Sequence, residues 1–218
     1  RQGHRVVLLD KDHHPRFHIG ESLLPANMPL LDRLGVGDAV RAIGMFKPGA
    51  EFVSPQHSHT QTYYFADAWD KSMPAAYQVR RADFDHILFR HARNKGALAL
   101  EGVKVTGVEF LDGGGAHVSA MDADDQAVRW HARFVVDASG RDTFLASRFK
   151  IKERNPRHNS AAVYGHFANA RRNAGEAEGN ITIFWFDHGW FWFIPLTGGA
   201  TSVGMVTWPY HMKTRAGR

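Results

Sequence analysis

Trp190-Phe191-Trp192-Phe193-Ile194-Pro195 is the stretch on which the reading of the fold turns. Successive side chains of an extended strand point to opposite faces, so Trp190, Trp192 and Ile194 share one face and Phe191 and Phe193 the other. Apolar residues on both faces mark a strand buried on both sides, or one that lines a cavity. The stretch lies within residues 181–208, which read as strand, turn, strand, turn, strand. Ile181, Ile183 and Trp185 alternate with Thr182, Phe184 and Phe186, and Asp187-His188-Gly189 supplies the first turn. Gly198-Gly199 supplies the second, and residues 202–208 form the returning strand. From periodicity alone this is an aromatic sheet core.

Further strands predicted by alternation are Glu51-Phe52-Val53, residues 62–65 and residues 163–167. They predict a second sheet shared between residues 46–74 and 160–208. Residues 171–179 are polar and predict an exposed loop. Nearer the start, Arg5-Val6-Val7-Leu8-Leu9-Asp10 is a continuous apolar run ending in an acid, as in a buried parallel strand. In a dinucleotide-binding βαβ unit, the second strand ends in an acid that accepts a hydrogen bond from a ribose hydroxyl, and Asp10 stands in that place. The glycine fingerprint of such a unit lies about 20 residues earlier, which puts it before Arg1.

Ser22 is the predicted N-cap of a helix that carries Leu24, Met28, Leu31 and Leu34 at helical spacing, starts late or kinks at Pro29, and closes at Gly35. Phe84, Ile87, Leu88, His91 and Ala92 form the stripe of a second helix, with Asp83 near its start and Gly96 after its end. Residues 98–110 predict a pair of strands with a bulge at Gly107. Asp112-Gly113-Gly114-Gly115 and residues 122–125 predict hairpin turns. Phe134-Val135-Val136 predicts another buried strand, and Asp137-Ala138-Ser139-Gly140 a turn whose small residues let the backbone approach a ligand.

The 218 residues can bury a full core in one or two domains. No apolar run approaches the roughly 20 residues of a membrane span. With no cysteine, disulfides and thiol chemistry are excluded, which fits a cytoplasmic protein. A net charge of +5 is spread thinly, with Arg80-Arg81 and Arg171-Arg172 the only basic doublets. That pattern predicts a modest pull on anionic small molecules rather than nucleic-acid binding. His57-x-His59 on a strand would point two rings to one side, but nothing is placed to complete a metal site, so no metal is expected. No nucleophile motif of a hydrolase is present. The non-Met start and the ending Lys213-Thr214-Arg215-Ala216-Gly217-Arg218 predict a chain truncated at both ends.

Four pieces in register resemble one family. Arg16-Phe17-His18-Ile19-Gly20-Glu21-Ser22-Leu23-Leu24-Pro25, residues 77–88 (YQVRRADFDHIL), residues 134–140 (FVVDASG) and the Trp-x-Trp-x-Ile-Pro of residues 190–195 are similar to the flavin-dependent halogenases. These belong to the flavoprotein monooxygenase superfamily with the p-hydroxybenzoate hydroxylase-like fold. The resemblance implies an α/β fold, with a Rossmann-like FAD-binding portion (residues 1–48 and 79–150) interleaved with a mixed β-sheet substrate portion (residues 49–78 and 151–218). It assigns FAD contacts to Asp10, Arg16, Gly20, Glu21, Ser22, Arg81, Val105 (against the adenine), Asp137 and Gly140.

The same resemblance implies that reduced FAD, delivered by a separate flavin reductase, uses oxygen and a halide ion to make hypohalous acid. Lys47, in Phe46-Lys47-Pro48-Gly49, matches the catalytic lysine that passes the halogen to a small aromatic substrate, free or carrier-bound. Such an amine works best when partly desolvated, below its usual pKa of about 10.4. A lysine on a solvated loop is the competing reading of the same residue. Trp190, Trp192 and Pro195 carry the halogenase motif, whose bulk keeps organic substrate from the flavin. An FAD-dependent monooxygenase or reductase, or an inactive fragment, is the alternative.

Overall fold

The computed structural model describes residues 3–153, 155 and 159–213; Thr214 to Arg218, part of the ending read above, lie outside them. In chain order the first elements are β1 (Val7–Leu9), α1 (Asn27–Leu34), α2 (Gly37–Ile43), β2 (Met45–Lys47), β3 (Gly49–Ser54), β4 (His59–Tyr64) and β5 (Ala76–Gln78). Helix α3 (Arg81–Asn94) leads to β6 (Leu98–Leu100), β7 (Lys104–Phe110), β8 (Ala116–Met121), β9 (Ala127–Ala132) and the short α4 (Phe144–Arg148). The last elements are β10 (Ala161–Ala168), β11 (Ile181–Phe186), β12 (Gly189–Pro195), β13 (Ala200–Thr207) and α5 (Pro209–Lys213). The fold is mixed α/β, and the chain divides into two compact units, Arg1–Arg16 with Phe89–Pro156 and Phe17–Leu88 with Arg157–Arg218. This division by compactness runs along other boundaries than the expected functional one: residues 17–48 and 79–88 fall in the second unit and 151–156 in the first.

In the second unit a six-stranded sheet runs in the order β10-β13-β12-β11-β3-β4. All its pairs are antiparallel except β11 with β3. Trp192, Ile194 and Leu196 are buried on one face with Ile19, Ile181, Trp190 and Val206 packed against them. The other face is more open, and Phe184, Phe191 and Phe193 line a shallow depression of about 310 Å³. A second cluster holds Leu23, Met28, Leu31, Val36, Val40 and Val79, with Phe84, Ile87 and Leu88 of α3 against it. Helix α1 begins at Asn27, so Pro29 falls in the first turn, where a missing N–H costs no intrahelical bond. Ser22 is no cap: the Asn27 side chain accepts from the Leu24 amide instead, at 2.8 Å.

One further expectation fails here for a local reason, and another holds only in part. His57 sits in a 3-10 turn, Pro55–His57, and Ser58 takes the left-handed conformation, so His57 and His59 do not share a strand. Residues 171–179 are mostly exposed, as expected, but they close in a 3-10 turn at Gly175–Gly179 and are tied to their surroundings. Arg172 donates to the carbonyls of Leu196 and Ala200 and pairs with Glu178, while Gln78 donates to the Gly179 carbonyl.

In the first unit β7, β8 and β9 form an antiparallel meander with the expected bulge between Val105 and Gly107. Val108, Ala116 and Val118 are its core, covered by Val105, Val135, Phe144 and Leu145. Among the described residues β1 pairs in parallel with β6 alone. With one strand partner the run at residues 5–10 is not buried as expected: Val6 and Val7 are each 42% exposed. Phe134-Val135-Val136 is likewise not a buried strand. Among the described residues no strand pairs with it, so alternation sends Val135 inward and leaves Phe134 and Val136 89% and 86% exposed.

Candidate active site

The second unit is built around the extended segment Gly20-Glu21-Ser22. Ser22 forms an antiparallel bridge with Gln78, the Val79 amide donates to the Glu21 carbonyl and the Leu23 amide to that of Tyr77. Extension sends the Glu21 and Ser22 side chains to opposite sides. On one side Lys47, at the end of β2, donates from Nζ to Ser22 Oγ and to the Leu23 carbonyl, both at 2.9 Å. The residue is 3% exposed, and its Nζ stands 5.2 Å from the centre of the Phe65 ring. Its hydrogen-bond partners are neutral, so nothing offsets the loss of water, and burial pushes the amine from 10.5 down to about 8. On the other side the fully buried Glu21 carboxylate meets His166 Nε2 of β10 at 2.6 Å, and its Oε2 has no donor among the described residues.

Arg81 opens α3 and fixes the approach to this segment. It grips Asp85 through Nε and Nη2, at 2.7 and 2.9 Å, and donates from Nη1 to the Ile19 carbonyl at 2.7 Å. Gly20 has φ +103, and a Cβ there would lie 2.9 Å from Arg81 Nη1, so only glycine fits. Trp192 packs in the same cluster as Ile19 and donates from Nε1 to Ser202 Oγ at 3.2 Å. Its indole lies over Gly204, where an added Cβ would stand 2.1 Å from the ring. Trp190 lies 5.9 Å from Trp192, and Pro195 is buried at the end of β12 opposite Thr201.

In the first unit Asp10 ends β1. Its carboxylate accepts from the Asp12 amide at 3.0 Å and lies 3.5 Å from Arg16 Nη2 and 3.6 Å from His14 Nε2. Asp137 accepts from Ser139 and from the Leu145 amide, and these bonds hold its carboxyl below the usual range. Gly140 follows with φ +60 and open space where a Cβ would be. Lys11, next to Asp10, pairs with Asp142, next in the loop, so the two expected cofactor loops of this unit are tied together. Val105 points into the meander core. A partly exposed acid at a strand end and an open glycine backbone fit a ribose and a phosphate group.

Residues 66–216 match the family model for tryptophan halogenase. The chain belongs to the tryptophan halogenase family. Among its relatives, the flavin-dependent halogenase armH3 of Armillaria mellea is 38% identical over 218 residues, covering 94% of this chain and 42% of that protein. The 1H-pyrrole-2-carbonyl-(peptidyl-carrier protein) chlorinase of Pseudomonas fluorescens is 31% identical over 231 residues, covering 95% and 51%. The solved myxobacterial chondrochloren halogenase superposes with a TM-score of 0.87 at 35% identity, over 99% of this chain and 50% of that one. This halogenase-family chain therefore spans about half the length of the relatives it matches.

Of the residues expected at the site, Gly20, Glu21, Ser22, Arg81 and Lys47 are linked by hydrogen bonds or direct packing in the second unit, with Trp190 and Trp192 packed beside Ile19. Asp10, Arg16, Asp137 and Gly140 belong to the loops of the first. Sequence reasoning missed His166 and Arg172. Alternation through residues 163–167 already places Tyr164 and His166 on one face, but the sequence carries no signal of the pairing that brings His166 to Glu21. Among the described residues no helix is long and apolar enough to cross a membrane, and no three His, Asp or Glu side chains converge on a metal position.

Proposed function

We propose that this chain carries the halogen-transfer centre of a flavin-dependent halogenase acting on an electron-rich aromatic substrate. The observation that carries the reading is the buried, unpaired amine of Lys47 with its depressed pKa. FAD, reduced by a separate flavin reductase, supplies the oxygen chemistry that turns a halide ion into hypohalous acid. Asp10, Asp137 and Gly140 of the first unit would hold it, within a Rossmann-like FAD-binding portion.

Lys47 has three positions on nitrogen, and Ser22 Oγ and the Leu23 carbonyl take two. The third is left for hypohalous acid. As a neutral amine the nitrogen lone pair takes the halogen, the N–X bond forms, and hydroxide leaves with the amine proton as water. An ammonium would instead hold hypohalous acid by a hydrogen bond. Trp190 and Trp192 fill the space beside Ile19 and keep organic substrate from the flavin. The substrate is a free aromatic or a carrier-bound one, the latter being named for the Pseudomonas fluorescens relative.

The test supplies the protein with reduced FAD, oxygen, halide and an aromatic substrate. Lys47→Ala should abolish halogenated product while oxygen is consumed at close to the wild-type rate. Normal halogenation by Lys47→Ala refutes the role of the lysine. Hydroxylation without any need for halide replaces this reading with that of a monooxygenase.

A further inference from the structure

Strand β5 carries a buried side chain that the chemistry above does not use. Directly opposed residues of paired strands share a face. Lys47 of β2 stands opposite Ala76 of β5, Met45 stands opposite Gln78, and Gln78 stands opposite Ser22 on the far side of β5. Lys47, Ala76, Gln78 and Ser22 therefore share one face. Ala76 offers only a methyl group there, so the Lys47 stem crosses β5 and brings Nζ to 2.9 Å from Ser22 Oγ. Gln78 flanks the same hydroxyl, since the Cβ atoms of a directly opposed pair lie about 4.5–5.5 Å apart.

The Gln78 side chain is 0% exposed and is held at one end. Its Nε2 donates to the Gly179 carbonyl at 3.0 Å, which fixes which end of the amide is oxygen. Oε1 has no donor among the described residues. Lys47 does not supply one, because its described hydrogen bonds go to Ser22 and Leu23. Gly179 in turn rests on β2, where an added Cβ would run into the Phe46 carbonyl and touch Lys47 Cα. The 3-10 turn that ends there covers the face bearing Lys47 and Gln78. Asn180, next in the chain, is buried as well, and neither polar atom of its side chain has a partner among the described residues. Native interiors pair such atoms almost always, so an unpaired amide oxygen beside a reactive amine points to a donor that arrives with the reactant.

We propose that Gln78 Oε1 accepts the hydroxyl of hypohalous acid and turns its halogen towards the Lys47 amine. The inference rests on the halogenase reading and adds a second group to the transfer step. The O–H of hypohalous acid donates to Oε1, and the nitrogen lone pair attacks the halogen. The N–X bond forms while the O–X bond breaks with its pair left on oxygen. That oxygen takes the amine proton and becomes water, still donating to Gln78. The sum is amine plus hypohalous acid giving haloamine plus water. A neutral amide suits this place. A carboxylate there would accept the same hydroxyl, but it would also keep Lys47 protonated and without a lone pair to attack.

The experiment supplies hypochlorous acid directly, so it needs neither flavin nor oxygen. The protein is treated near the amine's midpoint of about 8, and chlorine on each lysine is read as loss of acylation at that residue in the denatured chain. Gln78→Met should slow chlorination of Lys47 about tenfold, the worth of one hydrogen bond, while the exposed Lys71 and Lys95 react as in the wild type. No chlorine on Lys47 of the wild type overturns the halogen-transfer reading and this inference with it. Equal rates at Lys47 in the two proteins overturn this inference alone. Two measurements stand apart from that variant. Gln78→Glu should raise the Lys47 amine, followed in 13C-lysine spectra, well above about 8; an unmoved titration sets the two side chains apart and refutes the assignment. In the unaltered protein, nuclear Overhauser contacts should join the Lys47 Cε protons to the Gln78 side chain, and their absence overturns the shared site.

Discussion

Lys47 should make the protein gain stability as the solution turns alkaline. The folded amine titrates at about 8 against 10.5 for a free lysine. Below pH 8 both states carry the proton, and the folded state bears the full cost of burying the charge. Between pH 8 and 10.5 the folded state sheds its proton while the unfolded chain keeps its own. The unfolded state then binds more protons, so unfolding becomes harder as pH rises. The gap between the two values corresponds to about 3 kcal/mol. Other groups titrate in this range, so the measurement is a difference. Urea unfolding of wild type and Lys47→Met is followed at pH 7.5 and 10.5. Methionine keeps the apolar stem, and its loss of two hydrogen bonds gives a constant offset. Relative to the variant, the wild type should gain about 3 kcal/mol over the interval. A difference that stays within about 0.5 kcal/mol, the usual range of a surface change, refutes the burial of an unpaired amine.

Gly204→Val would drive a side chain into the Trp192 indole; a loss of about 1–3 kcal/mol, with a changed tryptophan near-UV signal, is expected, and an unaltered signal counts against the packing. Arg172→Met leaves the carbonyls of Leu196 and Ala200 without their side-chain donor, and should cost about 1–3 kcal/mol with faster amide exchange around the β12–β13 turn; unchanged exchange speaks against the anchor. Arg81→Lys cannot grip Asp85 with two nitrogens while holding the Ile19 carbonyl, so FAD affinity should fall about tenfold or more, and an unchanged affinity separates Arg81 from the cofactor.

The six-stranded sheet was legible because alternation is a local signal. Residues 51–53, 62–65 and 163–167 each declare a strand and 181–208 declare three, while apolar residues on both faces of Trp192-Phe193-Ile194 declare a central one. Burial was less legible where it depends on neighbours. Val6, Val7, Phe134 and Val136 are apolar enough for a core, yet among the described residues no second strand lies beside them. Ser22 followed by apolar residues at helical spacing looks like a cap, but its hydroxyl accepts from Lys47, a partner 25 residues away. In the same way the polar run at 171–179 gives no sign that Arg172 reaches carbonyls at 196 and 200. Lys47 itself was marked by its resemblance to the halogenase lysine, while its depth and its neutral partners came only from the packing.

Lys47 lies two residues before Gly49, where the chain enters the six-stranded sheet, and Ala50 is in parallel register with Ile181. The depth of the amine is thus an indexed quantity, counted from a ladder rather than set by a loop. Each residue added or removed at Pro48 would shift it by about 3.3 Å and reverse its direction. The far end of the same hairpin, at Pro55–His57, lies beyond the ladder, so insertions there should leave the index unchanged. Descendants of such a fold are free to vary that tip while the lysine stays at its mark.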